Sequence, residues 1–435
     1  MTHIPSAEIK QPQLHADTLG FTFVWQGHFL RGIYPESVDL AKSYFECGFI
    51  DEIVSKGLFP KTWISEFENE QFGMIIEHEM ISPILFATEW NFLMLKEAAL
   101  MVLNIAQIGW KYGYNMVDCH KLNVMFKGIK PVYVDLGSFV PREEGCTGWH
   151  PYMNFMTSYY YILDIWKDGA SQIAKRMMAP GVTIQAKDYY LYKSKLCRHF
   201  PRLIALRIQL ITNLGYLASQ PIEKILEKVG AAPNNLKAKA ICCTHWLVRK
   251  FKLSPSQHFK SLQRKVSSLS VPITALDKRA INISNVKKAM ETLGEIKGIS
   301  YIDSPIKEIL ELSKGIDKII SFQQKSEVSD AEYCHLCSHG VTNITPSSFY
   351  LGNGALLIRS KFPEDRLSSD VTIVLGYQIP SGAFGLHNAI VFFNQCKRFS
   401  KSGHLIVNIP RYKDDVKDEL LNSYFTNVIG DTFIS

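Results

Sequence analysis

Apolar and polar positions along the first hundred residues alternate in ways that predict strand and helix in turn. Phe21–Gln26 alternates with period two and predicts a strand, Gly27-His28 a turn, and Phe29–Tyr34 a second strand. From Asp39 to Lys56 the period changes to that of a helix, through Leu40, Tyr44, Phe45, Phe49 and Ile53, with Gly57 as its stop. Thr62–Phe67 and Phe72–His78 predict two more strands. A long helix is expected from a Thr88 cap to Tyr112, with Glu89 in its first turn. Two short apolar runs, Val124–Phe126 and Pro131–Val134, flank Lys127-Gly128 and predict a hairpin. Trp149–Trp166 is dense in large rings and reads as core. Ala170–Met178, Asp188–Leu196 and His199–Leu217 read as further helices.

From Ile281 onward strand and helix patterns alternate. Helix is expected at Val286–Leu293, Pro305–Lys314 and His387–Phe399. Strands are expected at Ile299–Asp303, Lys318–Phe322, Asp370–Leu375 and His404–Ile409, with a further one near Phe425–Val428. This rhythm predicts a parallel α/β sheet of Rossmann type. Between the two halves, residues 237–265 carry no acidic residue. Lys237, Lys239, Arg249, Lys250, Lys252, Lys260, Arg264 and Lys265 stand there with Trp246 and Phe251 interleaved. Such a stretch is a solvated helix-and-linker surface, or a weak contact for an anionic surface of lipid or nucleic acid.

Composition adds bounds. At 435 residues two or three domains are expected. A formal charge of +7 permits an anionic partner without demanding one. Nine cysteines at irregular spacing fit a reducing, cytoplasmic compartment better than a disulfide framework. Cys334-x2-Cys337-x-His339, with His335, lacks the second half of a zinc site and reads as incidental. The first 19 residues have no apolar core and read as a flexible leader. No apolar run is expected to reach the ~18 residues that span a bilayer.

The candidate chemistry lies in Asn115–Phe139. Asp118 is followed five residues later by Asn123, then by the hairpin, then by Asp135-Leu136-Gly137. Phosphoryl transfer needs a carboxylate beside the attacking hydroxyl, and an amide and second carboxylate to hold Mg²⁺ against phosphates. Asp118 is the candidate base; Asn123 and Asp135 are the candidate metal ligands. The competing reading is that Asp118 and Asn123 cap a loop and Asp135 ends a strand. Protein kinases carry His two residues before the base and Lys two residues after it; here those places hold Met116 and His120. Arg31 on the second strand is a candidate phosphate contact, or else a solvated strand residue, with Glu46 and Glu52 as candidate partners. Glu77-His78-Glu79 falls where a hinge would present backbone groups to adenine. Only Gly27 stands where kinases keep a glycine-rich loop.

The chain resembles a bacterial family whose members join a kinase-like N-terminal part to a C-terminal class I S-adenosylmethionine (SAM)-dependent methyltransferase domain. The resemblance rests on FVWQGHFLRGIYP, on the stretch LMLKEAALMVLNIAQIGWKYGYNMVDCHKLNVMFKGIKPVYVDLGSF, and on DRLSSDVTIVLGYQI. It implies an α+β kinase-like domain over residues 20–217 (lobes 20–83 and 84–217), a basic connection over 218–280, and a Rossmann-type methyltransferase-like domain over 281–435. It also implies methyl transfer in surface-polysaccharide or secondary-metabolite settings, and from that setting a sugar or glycan hydroxyl as the phosphate acceptor. The SAM positions depart from that pattern. Asp303-Ser304-Pro305-Ile306-Lys307-Glu308 has no glycine where a cofactor must approach the backbone, and Gln323-Gln324 stands where an acid binds ribose. The preferred reading is therefore an ATP- and Mg²⁺-dependent phosphotransferase fused to a sheet that has lost SAM. A methyltransferase with an unconventional SAM site and a non-catalytic scaffold are the alternatives.

Overall fold

The computed structural model describes residues 2–10, 17–82, 84–143, 149, 151–193, 222–229, 238–243, 255–273, 281, 283–323, 326–348, 369–378, 385–400, 402–409, 421, 424–429 and 431–435. The expected helix His199–Leu217, residue Gln324 and, of the basic stretch 237–265, residues 237 and 244–254 fall outside these. The chain divides into two compact units. The first comprises Met1–Met80, Lys96–Val124 and Val132–Ser270; the second comprises Ile81–Leu95, Met125–Pro131 and Val271–Ser435.

In the first unit, β1 (Thr2–His3) is followed by β2 (Gly20–Trp25), β3 (His28–Ile33), β4 (Thr62–Ile64), β5 (Phe67–Glu68) and β6 (Met74–His78). The order β2-β3-β6-β4 makes an antiparallel sheet. Alternation places Phe21, Phe23 and Trp25 on one buried face. They pack with Leu30, Phe72 and Ile75, and Phe23 stacks on Phe72 at 5.9 Å. A Cβ at Gly32 would come within 2.4 Å of the Phe72 ring, so this strand position accepts only glycine beneath that ring. Residues 2–10 are packed rather than a free leader. β1 pairs in parallel with β5, Ile4 is fully buried, and the Trp25 indole donates to Glu8 at 2.7 Å.

The helix expected over 39–56 is two, Val38–Glu46 and Phe49–Ser55, because Gly48 adopts a left-handed φ of 80° that a helix cannot pass through. The long helix runs Phe92–Lys111, and its cap is Asn91, whose side chain accepts from the Met94 N–H at 2.8 Å; Thr88 lies in a short turn before it. This helix is long and apolar enough to cross a bilayer, contrary to the expectation of no such stretch. Its most apolar window is 67% buried within the protein, through residues such as Leu95, Ala98, Val102 and Ile105.

β7 (Tyr114–Met116) pairs antiparallel with β10 (Phe139–Pro141), while β8 (Val124–Lys127) and β9 (Lys130–Tyr133) form the expected hairpin between them. The ladder closes the base of the Asp118–Ser138 loop, with Val117 N–H donating to Ser138 O at 2.8 Å. An aromatic cluster fixes that base. Phe49 meets Phe139 at 4.9 Å, Tyr44 meets Tyr114 at 5.0 Å, and the Tyr44 hydroxyl donates to the Phe139 carbonyl. Trp149–Trp166 is helical from Tyr152, with one wider π turn at Met156–Tyr160.

The second unit is built on a seven-stranded sheet. Its strands are β11 (Gly298–Ile302), β12 (Lys318–Gln323), β13 (Ile344–Ser348), β14 (Val371–Val374), β15 (His404–Asn408), β16 (Asn427–Ile429) and β17 (Thr432–Ile434), in the order β13-β12-β11-β14-β15-β17-β16. β11 to β15 run parallel; β17 is antiparallel to both β15 and β16. Helices Ile306–Leu312, Ser326–Ser338 and Gly385–Lys397 connect parallel neighbours, which makes this an α/β sheet of Rossmann type. β11 and β14 are buried along their whole length, as strands covered on both faces must be. The two earlier segments are anchored here by polar contacts. Asn91 donates to the Ser329 carbonyl at 3.1 Å, Asp330 accepts from Leu93 N–H at 2.9 Å, and the Tyr333 hydroxyl donates to Ile129 O at 2.8 Å.

Candidate functional sites

The loop closed by β7 and β10 brings Asp118, Asn123 and Asp135 into one hydrogen-bonded network. The Asn123 amide donates to Asp135 Oδ2 at 3.1 Å, and Val134 N–H donates to Asn123 O at 3.0 Å, holding the two residues abreast. Tyr133 ties in the third: its hydroxyl donates to the Asp118 carbonyl at 2.8 Å and lies 2.8 Å from the Ser138 hydroxyl, which itself donates to Asp135 Oδ2. Gly137 N–H donates to Asp135 Oδ1 at 3.1 Å. The Asp118 carboxylate pairs with His120 Nε2 at 3.0 Å and accepts from Asn154 Nδ2 at 3.4 Å.

Arg31 belongs to the same cluster. It is 5% exposed, so it is not a solvated strand residue. Its guanidinium donates to Asp17 and lies 3.7 Å from Asp135 Oδ1. The partners expected from sequence do not serve it. Glu52 is engaged by Lys111 at 2.6 Å, Lys56 at 2.7 Å and Tyr112 at 2.8 Å, which hold its carboxyl down at about 2. Burial raises the Asp135 carboxyl above the usual carboxylate range, while Ser138 and Arg31 oppose the rise. His78 is pushed down to about 3 by burial and then by the charge of Arg31.

Asn123 and Asp135 together can offer a cation one amide and one carboxylate oxygen. Mg²⁺ takes much of its shell from water and substrate phosphates, so that pair fits it only alongside a bound polyphosphate. Among the described residues no group of three or more His, Cys, Asp or Glu side chains is gathered as a metal cage. Cys334 and Cys337 sit on helix Ser326–Ser338. The expected hinge is a different matter. Glu77 and His78 are paired within the sheet, with β3 on one side and β4 on the other, and Glu79 N–H donates to Lys61 O at 2.7 Å. The Glu77 carboxylate is bound by the His28 ring at 2.7 Å. These amide groups are spent on the ladder and cannot read an adenine edge.

In the second unit the strand order reverses at β11, whose neighbours are β12 and β14, and ligands of such sheets bind at the carboxyl ends there. Asp303 follows β11 at φ 45°, one of two non-glycine residues with positive φ among the described ones. Around it the turn is closed on itself. Ser304 Oγ accepts from Leu375 N–H at 3.0 Å, and Gln323 Nε2 donates to Ser304 O at 3.0 Å and to Glu332 at 2.6 Å. Glu332 also accepts from Ser321 at 3.0 Å, and Asn408 accepts from Gly376 N–H at 3.3 Å. Tyr377, beyond β14, is pushed up to about 12 by burial and then by Cys396 and Asp303. Its ring stacks on Phe392 at 4.9 Å. Residues Asp303–Glu308 carry no glycine, and Ser304 is 1% exposed with both its hydroxyl and its carbonyl hydrogen-bonded.

Tyr133, Ser138, Asn154 and Asp17 were not singled out from sequence. Ser138 directly follows the Asp-Leu-Gly triplet and Tyr133 lies within the hairpin; no local pattern marks Asp17.

No protein-family model matches the chain. It is 28% identical over 85 residues to nodulation protein NoeA of Rhizobium meliloti (strain 1021), a match over 20% of this chain and only 18% of the relative's length. Among the solved structures similar to the chain, two each cover a third of it. One is precorrin 8w decarboxylase, the product of gene MT0146 in the Methanobacterium thermoautotrophicum genome, with TM-score 0.22, 18% identity and coverage of 33% of this chain and 71% of that one. The other is the YcgJ protein of a Bacillus, with TM-score 0.23, 15% identity and coverage of 33% and 57%. Scores this low fix no shared geometry.

Proposed function

We propose that the protein is a methyltransferase-like transferase whose second unit takes SAM on side chains rather than on a glycine-rich turn. One observation carries this: a strained Asp303 stands at the switch point of the β13-β12-β11-β14-β15-β17-β16 sheet. A residue held at an unfavourable φ persists where its surroundings over-determine it, and such residues cluster at binding sites. Asp303 follows the central strand and Tyr377 follows β14. These are the carboxyl-terminal positions from which ribose hydroxyls and a purine can be met. Titration calorimetry with SAM tests the reading. Measurable heat that Asp303→Ala removes supports it; no heat with the intact chain ends it.

A second reading rests on a different observation, the 3.1 Å bond between Asn123 and Asp135 beside a buried Arg31. In it the first unit binds a nucleotide polyphosphate, Asn123 and Asp135 flank the Mg²⁺ that comes with it, and Asp118 accepts the proton of a hydroxyl acceptor such as a sugar. Adenine is not read by the Glu77–Glu79 strand in this version. The test is thermal stability against ATP with Mg²⁺. A rise in Tm that Asp135→Ala removes supports nucleotide binding, and no rise with the wild type refutes it.

A further inference from the structure

Within the first unit the Asp17 carboxylate has no part in the readings above. Asp17 approaches the site from the N-terminal side of β2 and reaches the middle of the Asp118–Ser138 network. Its Oδ2 accepts from Arg31 Nη1, and its Oδ1 accepts from Leu19 N–H at 2.9 Å. It also lies flat on Gly137. A Cβ built at that glycine would stand 2.3 Å from Asp17 Oδ1 and 2.4 Å from Oδ2, so only a glycine leaves room for the carboxylate. Arg31 is thus bracketed by two acids, Asp17 and, at 3.7 Å, Asp135.

The arrangement is incomplete in an informative way. Arg31 Nε is buried and has no hydrogen-bond partner. A guanidinium offers five N–H groups in a planar fork, which suits bidentate contact through Nε and one Nη. Asp17 takes one arm, and the longer contact to Asp135 serves another. A planar carboxylate already tied to its own Leu19 N–H cannot turn to serve Nε as well. A tetrahedral anion with three free oxygens can reach Nε and an Nη at once. Arg31 therefore holds a carboxylate in a place whose donors are better matched by a phosphoryl group.

We propose that Arg31 and the space left open over Gly137 form a phosphoryl-binding pocket that Asp17 of the same chain occupies, so that phosphate-class ligands bind by displacing Asp17. No bond is made or broken; one charge-assisted contact replaces another. The inference rests on the anion contact that the second reading assigns to Arg31, and it adds a competitor within the chain. Apparent affinity for the ligand is then lowered by the fraction of molecules in which Asp17 is seated.

The probe is inorganic pyrophosphate, titrated calorimetrically into the full chain at low ionic strength. Asp17→Asn keeps the shape and the acceptor for Leu19 N–H and loses the charge that holds Arg31. It should tighten pyrophosphate about tenfold. Arg31→Lys keeps a charge and loses the fork, and should abolish the gain when combined with Asp17→Asn. Asp39→Asn removes an exposed acid of the same unit and controls for net charge; it should change affinity less than twofold. An Asp17→Asn chain that keeps its circular dichroism yet binds pyrophosphate no tighter than wild type overturns the proposal. So does an equal gain in Asp39→Asn, or a gain that survives Arg31→Lys. An ATP arm separates this from the second reading. ATP binding that Asp135→Ala removes and Asp17→Asn leaves unchanged refutes displacement while sparing nucleotide binding. A pyrophosphate gain with no ATP binding in any variant sustains displacement and refutes the nucleotide.

Discussion

The two candidate sites solve the problem of buried polar groups in opposite ways. Around β11 the groups are mostly neutral and joined in a chain, with Leu375 donating to Ser304, Gln323 to Ser304 and Glu332, and Ser321 to Glu332, while Glu308 Oε2 and Thr372 Oγ1 nearby are buried outside it. Around Arg31 the groups are charged, two acids share one guanidinium, and a donor is left over. A satisfied network rigidifies its surroundings, and a ligand gains there only through groups outside it, because each contact inside it must replace an old one of similar strength. A network with an unmet donor is raised in free energy and is lowered by a ligand that meets it. The first arrangement explains why a turn without glycine can be stable; the second explains where a new anion would gain most.

Breaking each network at its hub should separate the two kinds. Asp135→Ala removes the acceptor of Ser138, Gly137 and Asn123 and one of the two acids near Arg31. Loss of one partner from a buried charged set costs about 3 kcal/mol, read as a lower denaturant midpoint for the first unit, and added pyrophosphate should restore part of it. Gln323→Leu in the second unit removes the Gln323 donor from Ser304 O and from a Glu332 carboxylate that is 1% exposed. The expected loss is about 2 kcal/mol, seen in the second unit, with no recovery from any anion. If pyrophosphate rescued Gln323→Leu as well as Asp135→Ala, the distinction between open and closed networks would fail.

How far each site was legible in sequence follows from how local its parts are. Asp118, Asn123 and Asp135 lie within eighteen residues and one hairpin joins them, so residue spacing carries their convergence. The alternating strands and helices after Ile281 carry the parallel sheet for the same reason. Non-local facts were illegible. Nothing near Arg31 says that its acid is Asp17 rather than Glu46 or Glu52, and the polar, Pro-containing start of the chain reads as a leader although Ile4 is fully buried. The insertion of β17 between β15 and β16 is set by pairing at the end of the chain, not by period. Local signals were also misread where two compete: Gly48 divides one helical pattern into two helices, and Asn91 takes the cap that Thr88 offered three residues earlier.

Acid should weaken the charged region by a route of its own. His78 is held near 3, well below the 6.5 of an exposed ring, by burial and by Arg31. Above pH 6.5 the ring is neutral folded and unfolded, and stability does not change on its account. Below 6.5 the unfolded chain binds the proton and the folded one does not, so stability falls as pH falls, down to about 3. The limiting slope is about 1.4 kcal/mol per pH unit. Denaturation of the first unit at pH 6.5 and 5.5 measures it, and His78→Gln, which can still accept from Thr62, should flatten it. A slope unchanged in His78→Gln would show that the acid sensitivity does not come from His78.

The smallest effect bears most directly on which region binds what. At φ 45°, Asp303 occupies a conformation that costs its short polar side chain less than it would cost a β-branched one. Asp303→Val should therefore cost about 1 kcal/mol, and Asp303→Gly should fall well inside that. The two variants differ in backbone strain and agree in lacking a carboxylate. If SAM binds through that carboxylate, both lose it equally despite unequal stabilities. If SAM depends on the shape of the turn, only the valine variant loses it. If neither variant alters SAM binding, the strain at the switch point has no bearing on the cofactor, and the phosphoryl site around Arg31 remains the better place to look for this protein's ligand.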